Sequence, residues 1–381
     1  MLSADDILLT RLRRQLIRRT ASDAPSDPAD VVTCMCAMQA QDYAGALWSV
    51  GLRCPPETTA VDVERAIAER RIIRTWPLRG TLHLVAPRDI RWMLSAFAPR
   101  VLVRATKRHR DLGLSDTDFA RARAIFESAL AGGNVFTRAE MMDLLEANGV
   151  STAGQRGYHI LWVLAQRAVL CCGPMHGKQQ TFVLLDEWVP PNAEEPSLRR
   201  GEAVARLTAR YFAARGPATL SDFAWWAGIT KSDARAGLDA GRGGLERIVG
   251  NNTEFWLSKG ALADTDGSPM SAVHSRRQAV SPPVHLLPGF DEYMLGYADR
   301  RLQLGEHGET YGSSVSANGM FSPLLVIDGR IAGTWKRTLK RGHVEIRTRE
   351  FRQLEEAELE GLTEAAEHYG RFVGLSPVLQ A

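Results

Sequence analysis

The feature that most constrains the fold is an order of helix and turn signals that recurs along the chain. The clearest copy begins with Thr137-Arg138-Ala139-Glu140, a capping box that starts an amphipathic helix running to Asn148. A second helix is predicted from Gln155 to Arg167. Two short strands are predicted next, around a turn-rich segment, at Val169–Cys172 and Thr181–Leu185.

The same order of two helices and a hairpin is predicted twice more. In the later copy, Thr219 to Asp222 begins a helix that stops near Gly228, Thr230 begins the next helix to Ala240, and a hairpin joins Leu245–Val249 to Glu254–Ser258 through Asn251-Asn252. The earlier copy has helices Val31–Met38 and Val61–Arg70 and strands Ile72–Thr75 and Thr81–Val85. This is the order of a winged helix, so we expect three such modules.

The last third of the chain has a different residue pattern, which favours short strands over helices. Pro190 to Pro196 is the best linker candidate, because its prolines and charges cannot continue a helix or a central strand. Beyond Ala263, short runs such as Leu324–Ile327 and His343–Arg347 predict strands, and one last helix is predicted from Glu355 to Tyr369. We expect an α+β protein with domains at 1–112, 113–190, 198–263 and 264–381.

Length and composition exclude several classes of protein. A chain of 381 residues is too long for one small module, and no run approaches the ~18 apolar residues of a membrane span. The N-terminus lacks the apolar core of a signal peptide, so we expect a soluble, cytoplasmic protein. The five cysteines have no metal-ligand spacing, and we find no phosphate loop, dinucleotide motif, nucleophile elbow or zinc-protease motif. We therefore expect neither a metal nor a cofactor.

The cations are clustered although the net charge is only +3. Of the 47 cationic residues only six are Lys, and Arg suits bidentate phosphate contacts, although a GC-rich genome gives the same bias. One cluster includes Arg100, Arg104 and Lys107, and another includes Lys336 and Arg337. Each cluster is suited to neutralising phosphates. A solvated helix face and a charged edge strand are equally consistent with them.

Two amides stand where an apolar helix is predicted to end, at Gln39 and Gln41. On physical grounds alone, they would solvate the last carbonyls of that helix. Their spacing argues against one shared site in a regular α-helix, because residues i and i+2 do not face the same way. Both amides can serve one site only if the backbone tightens or unwinds there.

Several segments resemble the bacterial AlkZ-type DNA glycosylases. They are Gln39 to Tyr43, Arg79 to Val85, Leu286 to Tyr297, and Asn318 to Pro323 through Gly333 to Lys336. The resemblance implies three tandem winged helices and a C-terminal β domain around a positively charged, C-shaped DNA channel. It also implies excision of N7-alkylated purines by a Gln-apolar-Gln motif, which Gln39 and Gln41 match. Some members of the family unhook interstrand cross-links or protect producers of DNA-alkylating antibiotics, so DNA repair and self-resistance are both implied.

These considerations lead to two hypotheses from different classes. The first is a monomeric, monofunctional glycosylase acting on double-stranded DNA with alkylated purines, in which Gln39 and Gln41 are catalytic and no nearby lysine forms a Schiff base. The second is a winged-helix DNA-binding regulator without catalysis. Turn-forming residues bound Ser271–Pro283, which is predicted either as an exposed hairpin that reaches DNA or as an ordinary loop that connects domains. The DNA-contacting side chains expected are Arg79, His83, Arg100, Arg104, His274, Arg276, Arg277, Lys336 and Arg337.

Overall fold

The computed structural model describes residues 2–18, 25–192, 198–250, 252–262, 283–308 and 321–380. By its internal contacts the chain divides into two units. Unit 1 consists of residues 1–63 and 204–381, and unit 2 of residues 64–203. Each unit is described by itself below.

The described part of the chain contains fifteen α-helices and thirteen strands. The helices are α1 Ala4–Arg14, α2 Pro28–Met35, α3 Tyr43–Gly51, α4 Ala60–Ala68, α5 Pro87–Asp111, α6 Asp116–Leu130, α7 Arg138–Ala147, α8 Arg156–Gln166, α9 Leu185–Trp188, α10 Arg200–Arg215, α11 Leu220–Ala227, α12 Lys231–Gly241, α13 Glu292–Leu295, α14 Arg301–Leu304 and α15 Glu356–Val373. The strands are β1 Ala37–Gln39, β2 Ile73–Leu78, β3 Thr81–Val85, β4 Phe136–Thr137, β5 Leu170–Cys172, β6 Thr181–Leu184, β7 Leu245–Gly250, β8 Thr253–Ser258, β9 Val284–Leu287, β10 Leu324–Ile327, β11 Arg330–Leu339, β12 His343–Glu350 and β13 Ser376–Gln380.

Local capping explains where the predicted helices begin and end. The Thr137 hydroxyl accepts from the Glu140 N–H while the Glu140 carboxylate accepts from the Thr137 N–H, so α7 starts with the predicted capping box. Thr219 caps α11 in the same way. Gly149 and Gly228 follow α7 and α11 with φ of +69° and +68°, a left-handed conformation that ends a helix. The predictions for α7, α8, α11 and α12 are confirmed to within about a residue at each end.

Unit 2 is built on a set of short antiparallel strands. Its strands are hydrogen-bonded in the order β3-β2-β5-β6-β4, and the predicted hairpins β2/β3 and β5/β6 are confirmed. Phe126, Leu164 and Leu170 lie at the centre of its apolar core. Burial raises the pKa of Cys172 in β5 to about 11, so this thiol is protonated at neutral pH.

Unit 1 contains the predicted C-terminal β-rich region. Its sheet has the order β13-β12-β11-β10-β9, with β13 parallel to β12 and the other neighbours antiparallel. Trp48 of α3 and Trp335 of β11 each meet the Tyr369 ring of α15 edge-on, with centroids 5.0 and 5.1 Å apart. The closing helix is confirmed, and it continues past the predicted end to Val373. The predicted hairpin β7/β8 is also confirmed.

Other predictions need correction or lie outside the described residues. The helix predicted over Val31–Met38 ends at Met35, because Cys36 has a φ of +68° that an α-helix cannot continue. Eight of the fifteen helices in the described residues were not predicted, and the 25-residue α5 among them carries the Arg100 cluster. The eight are α1, α3, α5, α6, α9, α10, α13 and α14. Residues 193–196 of the predicted linker and Asn251 of the predicted turn lie outside the described residues.

We predict that unit 1 is destabilised by mild acid through His285 of β9. Its Nε2 is buried with no hydrogen-bond partner among the described residues. Burial first, and then the nearby His368 and Arg53, lower the pKa of His285 to about 4, although Asp291 opposes them. The unfolded chain, with an ordinary pKa near 6.5, therefore binds a proton that the folded chain rejects. The stabilisation is complete above about pH 6.5 and is lost as the pH falls towards 4, at a cost of about 3 kcal/mol.

Urea unfolding of the wild type and of the His285→Gln variant at pH 7.5 and pH 4.5 checks this prediction. The free energy of unfolding should fall further in the wild type than in the variant. Carboxylates that protonate over the same interval affect both proteins, so the comparison isolates His285. Equal losses in the two proteins would contradict the prediction.

Candidate functional site

The Gln39-Ala40-Gln41 segment lies between two helices of unit 1, with Gln39 at the end of a strand and Gln41 at a bend. Helix α2 ends at Met35, the residues from Ala37 to Gln39 form β1, and α3 begins at Tyr43 with Asp42 as its N-cap. The amides therefore do not solvate the end of a helix that reaches Met38, and that interpretation is wrong. Gln39 is 8% exposed, whereas Gln41 is exposed at the surface.

The objection raised by the spacing of the two amides applies only to a regular α-helix. Ala40 and Gln41 lie in neither a helix nor a strand, and the chain bends at Gln41. Gln39 is the last residue of β1, and Asp42, just after Gln41, is again extended with φ −88° and ψ 109°. A site that uses both amides is therefore compatible with the local conformation.

A buried ion pair holds the backbone on the N-terminal side of the motif. The Gln39 N–H donates to Glu292 Oε1 over 2.9 Å. The other oxygen, Glu292 Oε2, accepts from Arg215 Nη2 at 2.6 Å and from Trp226 Nε1 at 2.9 Å. Arg215 also donates to the carbonyls of Met35 and Ala37. Both charged side chains are fully buried, so residues 35–39 are held from inside the protein.

A second buried ion pair holds the helix that follows the motif. Arg53 donates to both oxygens of Asp291 at 2.8 Å, and the Ser49 hydroxyl of α3 donates to the same carboxylate at 2.6 Å. Arg53 also donates to the Gln15 carbonyl at 2.8 Å. Burial alone would raise the pKa of Asp291, but the charge and hydrogen bonds of Arg53 outweigh it and lower the pKa. Asp291 is therefore ionised at neutral pH.

Beside Gln41, the surface carries a charged and aromatic group. Arg337 Nη2 lies 3.7 Å from Asp42 Oδ2, and its guanidinium lies 5.8 Å from the centroid of the Tyr369 ring. Burial raises the pKa of Tyr369 to about 12. A Cβ at Gly45 would come 2.6 Å from Asp42 Oδ2, so a larger residue there would have to displace this carboxylate. The predicted DNA-contacting Arg337 is thus brought to the motif, half-buried and paired.

The remaining predicted DNA-contacting residues are distributed over both units. In unit 1, Lys336 is exposed on β11. In unit 2, Arg79 lies in the turn after β2 with a φ of +56°, and Arg100 and Arg104 lie on α5, half-buried and exposed respectively.

His83 was predicted to contact DNA, but its side chain has no exposed surface in the structure. His83 is 0% exposed, and its Nδ1 lies 2.8 Å from the Thr81 carbonyl oxygen. The predicted hairpin residues His274, Arg276 and Arg277 lie outside the described residues.

The four charged residues that hold the motif and its helix were not identified from the sequence. Glu292 and Asp291 are adjacent acids inside an otherwise apolar run, and Arg53 follows the apolar Val50-Gly51-Leu52. Charges in such runs predict buried, paired groups, and this was the available signal. It does not identify the partners, which lie far apart in the chain.

Two searches for other kinds of site gave negative results over the described ranges. No group of three or more His, Cys, Asp or Glu side chains there could hold a metal ion. No helix in those ranges is both long and apolar enough to cross a membrane.

Comparisons with known proteins agree with one another. A family model described as DNA glycosylase AlkZ-like matches residues 32–372. A curated relative, the interstrand DNA cross-link repair glycosylase of Streptomyces sahachiroi, is 28% identical over 387 residues, covering 96% of this chain and 95% of that protein. The solved structure of Streptomyces sahachiroi DNA glycosylase AlkZ superposes over 100% of both chains with a TM-score of 0.74 at 24% identity. The chain therefore has the mixed α/β fold of that structure.

Proposed function

Because the chain belongs to the AlkZ-like DNA glycosylase family, and is therefore a DNA glycosylase, we propose that it hydrolyses the N-glycosidic bond of N7-alkylated purines in double-stranded DNA. The observation that carries this substrate class is the non-helical Gln39-Ala40-Gln41 segment, whose first amide residue is held by Glu292 and whose second is exposed. Amides are weak bases, and they suit a substrate whose purine base leaves with little assistance.

The chemistry of the lesion matches these residues. Alkylation at N7 makes the purine cationic, so breaking the bond between C1′ and N9 releases a neutral base without prior protonation. In the proposed mechanism, the carbonyl oxygens of Gln39 and Gln41 orient a water molecule beneath C1′ and favour the oxocarbenium-like transition state. The water oxygen bonds to C1′ as the electrons of the broken bond move to the purine. Its extra proton passes to solvent or to Asp42, and an abasic site remains.

The monofunctional character of the enzyme follows from the distribution of lysines. A lyase needs an amine that attacks C1′, and the six lysines are all distant from the motif in sequence. Lys336 is the immediate neighbour of Arg337, which pairs with Asp42. Successive residues of a strand point to opposite faces, so the Lys336 side chain projects away from the motif.

The breadth of the substrate class is also a proposal. The named relative repairs interstrand cross-links, and at 28% identity over nearly the full length we propose that this chain accepts bulky or cross-linked N7 adducts as well as methyl adducts. An enzyme of that kind would serve either general repair or protection from a DNA-alkylating antibiotic.

The arrangement of modules proposed from the sequence is three winged helices and a C-terminal β domain around a DNA channel. Two copies of the order of two helices and a hairpin support it, one from α7 to β6 and one from α11 to β8. The proposed domain limits remain 1–112, 113–190, 198–263 and 264–381.

A cationic face on the C-terminal sheet supports a contact with the DNA backbone. Lys336 of β11 stands directly opposite Arg347 of β12, and both are exposed on the face opposite the buried Trp335 and Ile346. Like charges in directly opposed positions destabilise a sheet, so an anion between them would relieve the repulsion. Arg349 lies two residues along the same face. For a DNA glycosylase, the phosphates of the DNA backbone are the anions that such a face would meet.

We predict that Lys336→Ala combined with Arg347→Ala weakens binding to damaged and undamaged DNA alike. Each phosphate contact contributes about 0.9 to the slope of log K against log salt, so the magnitude of the slope should fall by up to about 2. Fluorescence anisotropy over a range of salt concentrations measures it. Arg371→Ala is the matched control, because Arg371 is exposed on α15 and lies near Glu367. An unchanged slope in the double variant would remove this face from the footprint.

Incubation of the protein with duplex DNA containing one 7-methylguanine tests the proposed function. We expect release of 7-methylguanine and strand breaks at the lesion after alkali, with an intact strand before alkali. Breaks without alkali would contradict the monofunctional mechanism. Tight binding without release of the base would favour the non-catalytic regulator instead.

A further inference from the structure

We propose that Glu292 is a positioning residue for catalysis, which sets the location of Gln39 through the hydrogen bond to the Gln39 N–H and is itself fixed by Arg215. This inference rests on the proposed function, because it presumes that Gln39 acts on the substrate. It assigns Glu292 no contact with DNA or with the reacting atoms. The evidence is the way the two carboxylate oxygens are shared and where the Arg215 side chain reaches.

The two oxygens of Glu292 face different partners. Oε1 accepts from the Gln39 backbone at 2.9 Å, while Oε2 accepts from Arg215 Nε at 3.0 Å, Arg215 Nη2 at 2.6 Å and Trp226 Nε1 at 2.9 Å. Three donors on Oε2 fix the plane and the distance of the carboxylate. Oε1 is thereby held at one point, and the hydrogen bond to Oε1 fixes the position of the Gln39 N–H.

Arg215 extends the same restraint back along the chain. Its Nη1 donates to the Met35 carbonyl at 2.8 Å and its Nη2 to the Ala37 carbonyl at 2.7 Å, on either side of the left-handed Cys36. The guanidinium lies 4.3 Å from the centroid of the Trp226 ring, which restricts its own movement. The chain between α2 and Gln39 is therefore tied by three hydrogen bonds to one buried ion pair.

Stability alone does not account for an ion pair at this place. Apolar side chains of similar size usually hold a core as well as a buried ion pair does, because both ions must lose their water. Apolar side chains cannot accept the N–H of residue 39 or donate to the carbonyls before it. What the pair adds is a defined position for Gln39, and a displacement of about 1 Å in such a group can cost about 10²-fold in rate.

Glu292→Asp is the sharpest test, because it keeps the charge and shortens the side chain by one methylene. The aspartate can stay with Arg215 or approach Gln39, but it cannot hold both at their present places. We expect the single-turnover rate of 7-methylguanine release to fall roughly 10- to 100-fold while the Kd for the same DNA is unchanged. Glu292→Gln should behave alike, because its amide turns an N–H towards either Gln39 or Arg215, both of which are donors.

Asp291→Asn is the matched control. It alters the neighbouring buried ion pair by the same change from acid to amide, but Asp291 ties α3 at Ser49, about two turns beyond Gln41. We expect it to lower stability at least as much as Glu292→Asp and to lower the rate much less. A purely structural role for Glu292 predicts instead that both variants lose rate in proportion to stability, and that result would overturn the proposal.

Amide hydrogen exchange gives a readout that does not depend on activity. In the full-length protein, exchange at the Gln39 amide should become faster in both Glu292 variants and stay unchanged in Asp291→Asn. Unchanged exchange at Gln39 in the Glu292 variants would overturn the proposal. If the wild type released no 7-methylguanine, the proposed substrate would fail, and the exchange rates would still decide whether Glu292 holds Gln39.

Discussion

Gln41→Ala should reduce the excision of 7-methylguanine by on the order of 10²-fold or more while the protein stays folded and binds DNA as before. Gln41 is exposed, so its removal should change the free energy of unfolding by less than about 0.5 kcal/mol. Amide groups aimed at a transition state are typically worth about 10² to 10³-fold in rate. Single-turnover kinetics with a fluorescence-labelled duplex measure the loss.

Gln39→Ala should give a similar loss of rate with a larger effect on folding. Its side chain is 8% exposed, so truncation also removes packed volume. The backbone N–H that Glu292 accepts is retained in alanine, and the variant therefore separates the amide side chain from the restraint on the backbone. Gln353→Ala, which removes an exposed amide elsewhere in unit 1, is the control and should keep the wild-type rate.

The double change decides whether the motif is catalytic. If the amides act together on one water molecule, the loss in Gln39→Ala/Gln41→Ala should be smaller than the product of the two single losses. Asp42, next to Gln41 in the chain, is an exposed carboxylate available to take over as a base, and its pairing with Arg337 opposes that. A double variant with the wild-type rate would remove the catalytic assignment of both residues.

The parts of the fold that could be predicted are those decided by neighbouring residues. Thr137 and Glu140 lie three positions apart and satisfy each other's N–H groups, so four consecutive residues determine where α7 starts. Gly228 ends α11 because it adopts φ +68° without strain. The hairpins follow from short apolar runs that flank turns, as at β7/β8, where the register Ile248↔Phe255 matches the prediction.

The parts that could not be predicted depend on contacts between distant residues. Cys36 is not a residue type that favours a left-handed φ, and it adopts one where Arg215 donates to the carbonyls on both sides of it. Glu292 and Gln39 are 253 positions apart, and Arg53 and Asp291 are 238 apart. Local patterns cannot report such pairs. The family resemblance supplied Gln39 and Gln41 as catalytic candidates, but the groups that hold them became visible only in the structure.

The adjacent acids Asp291 and Glu292 hold different parts of the chain around the motif. Glu292 accepts from the Gln39 N–H, whereas Asp291 accepts from the Ser49 hydroxyl of α3, about two turns beyond Gln41. Asp291 also caps α13 by accepting from the Tyr293 N–H. The Glu292 contact therefore acts on the motif itself, and the Asp291 contact acts on the helix that follows it.

Arg53→Met should lower the free energy of unfolding by about 3 to 5 kcal/mol, which is the usual cost of leaving a buried carboxylate without its counter-ion. Both side chains of the Arg53–Asp291 pair are fully buried, and the Gln15 and Ser49 carbonyls would lose their Arg53 donor as well. Urea unfolding followed by tryptophan fluorescence measures the loss. Arg371→Met, in an exposed pair with Glu367, is the control and should cost less than about 1 kcal/mol.

A double-mutant cycle separates the two causes of that loss. Asp291→Asn in the Arg53→Met background removes the uncompensated charge but keeps an oxygen for the Tyr293 N–H, so the double variant should be no less stable than Arg53→Met alone. The carbonyls of Gln15 and Ser49 stay without their Arg53 donor in both proteins, and full recovery is therefore not expected. If the two losses simply added, the Asp291 charge would not be the cause, and the cost would belong to the hydrogen bonds that Arg53 makes to the backbone.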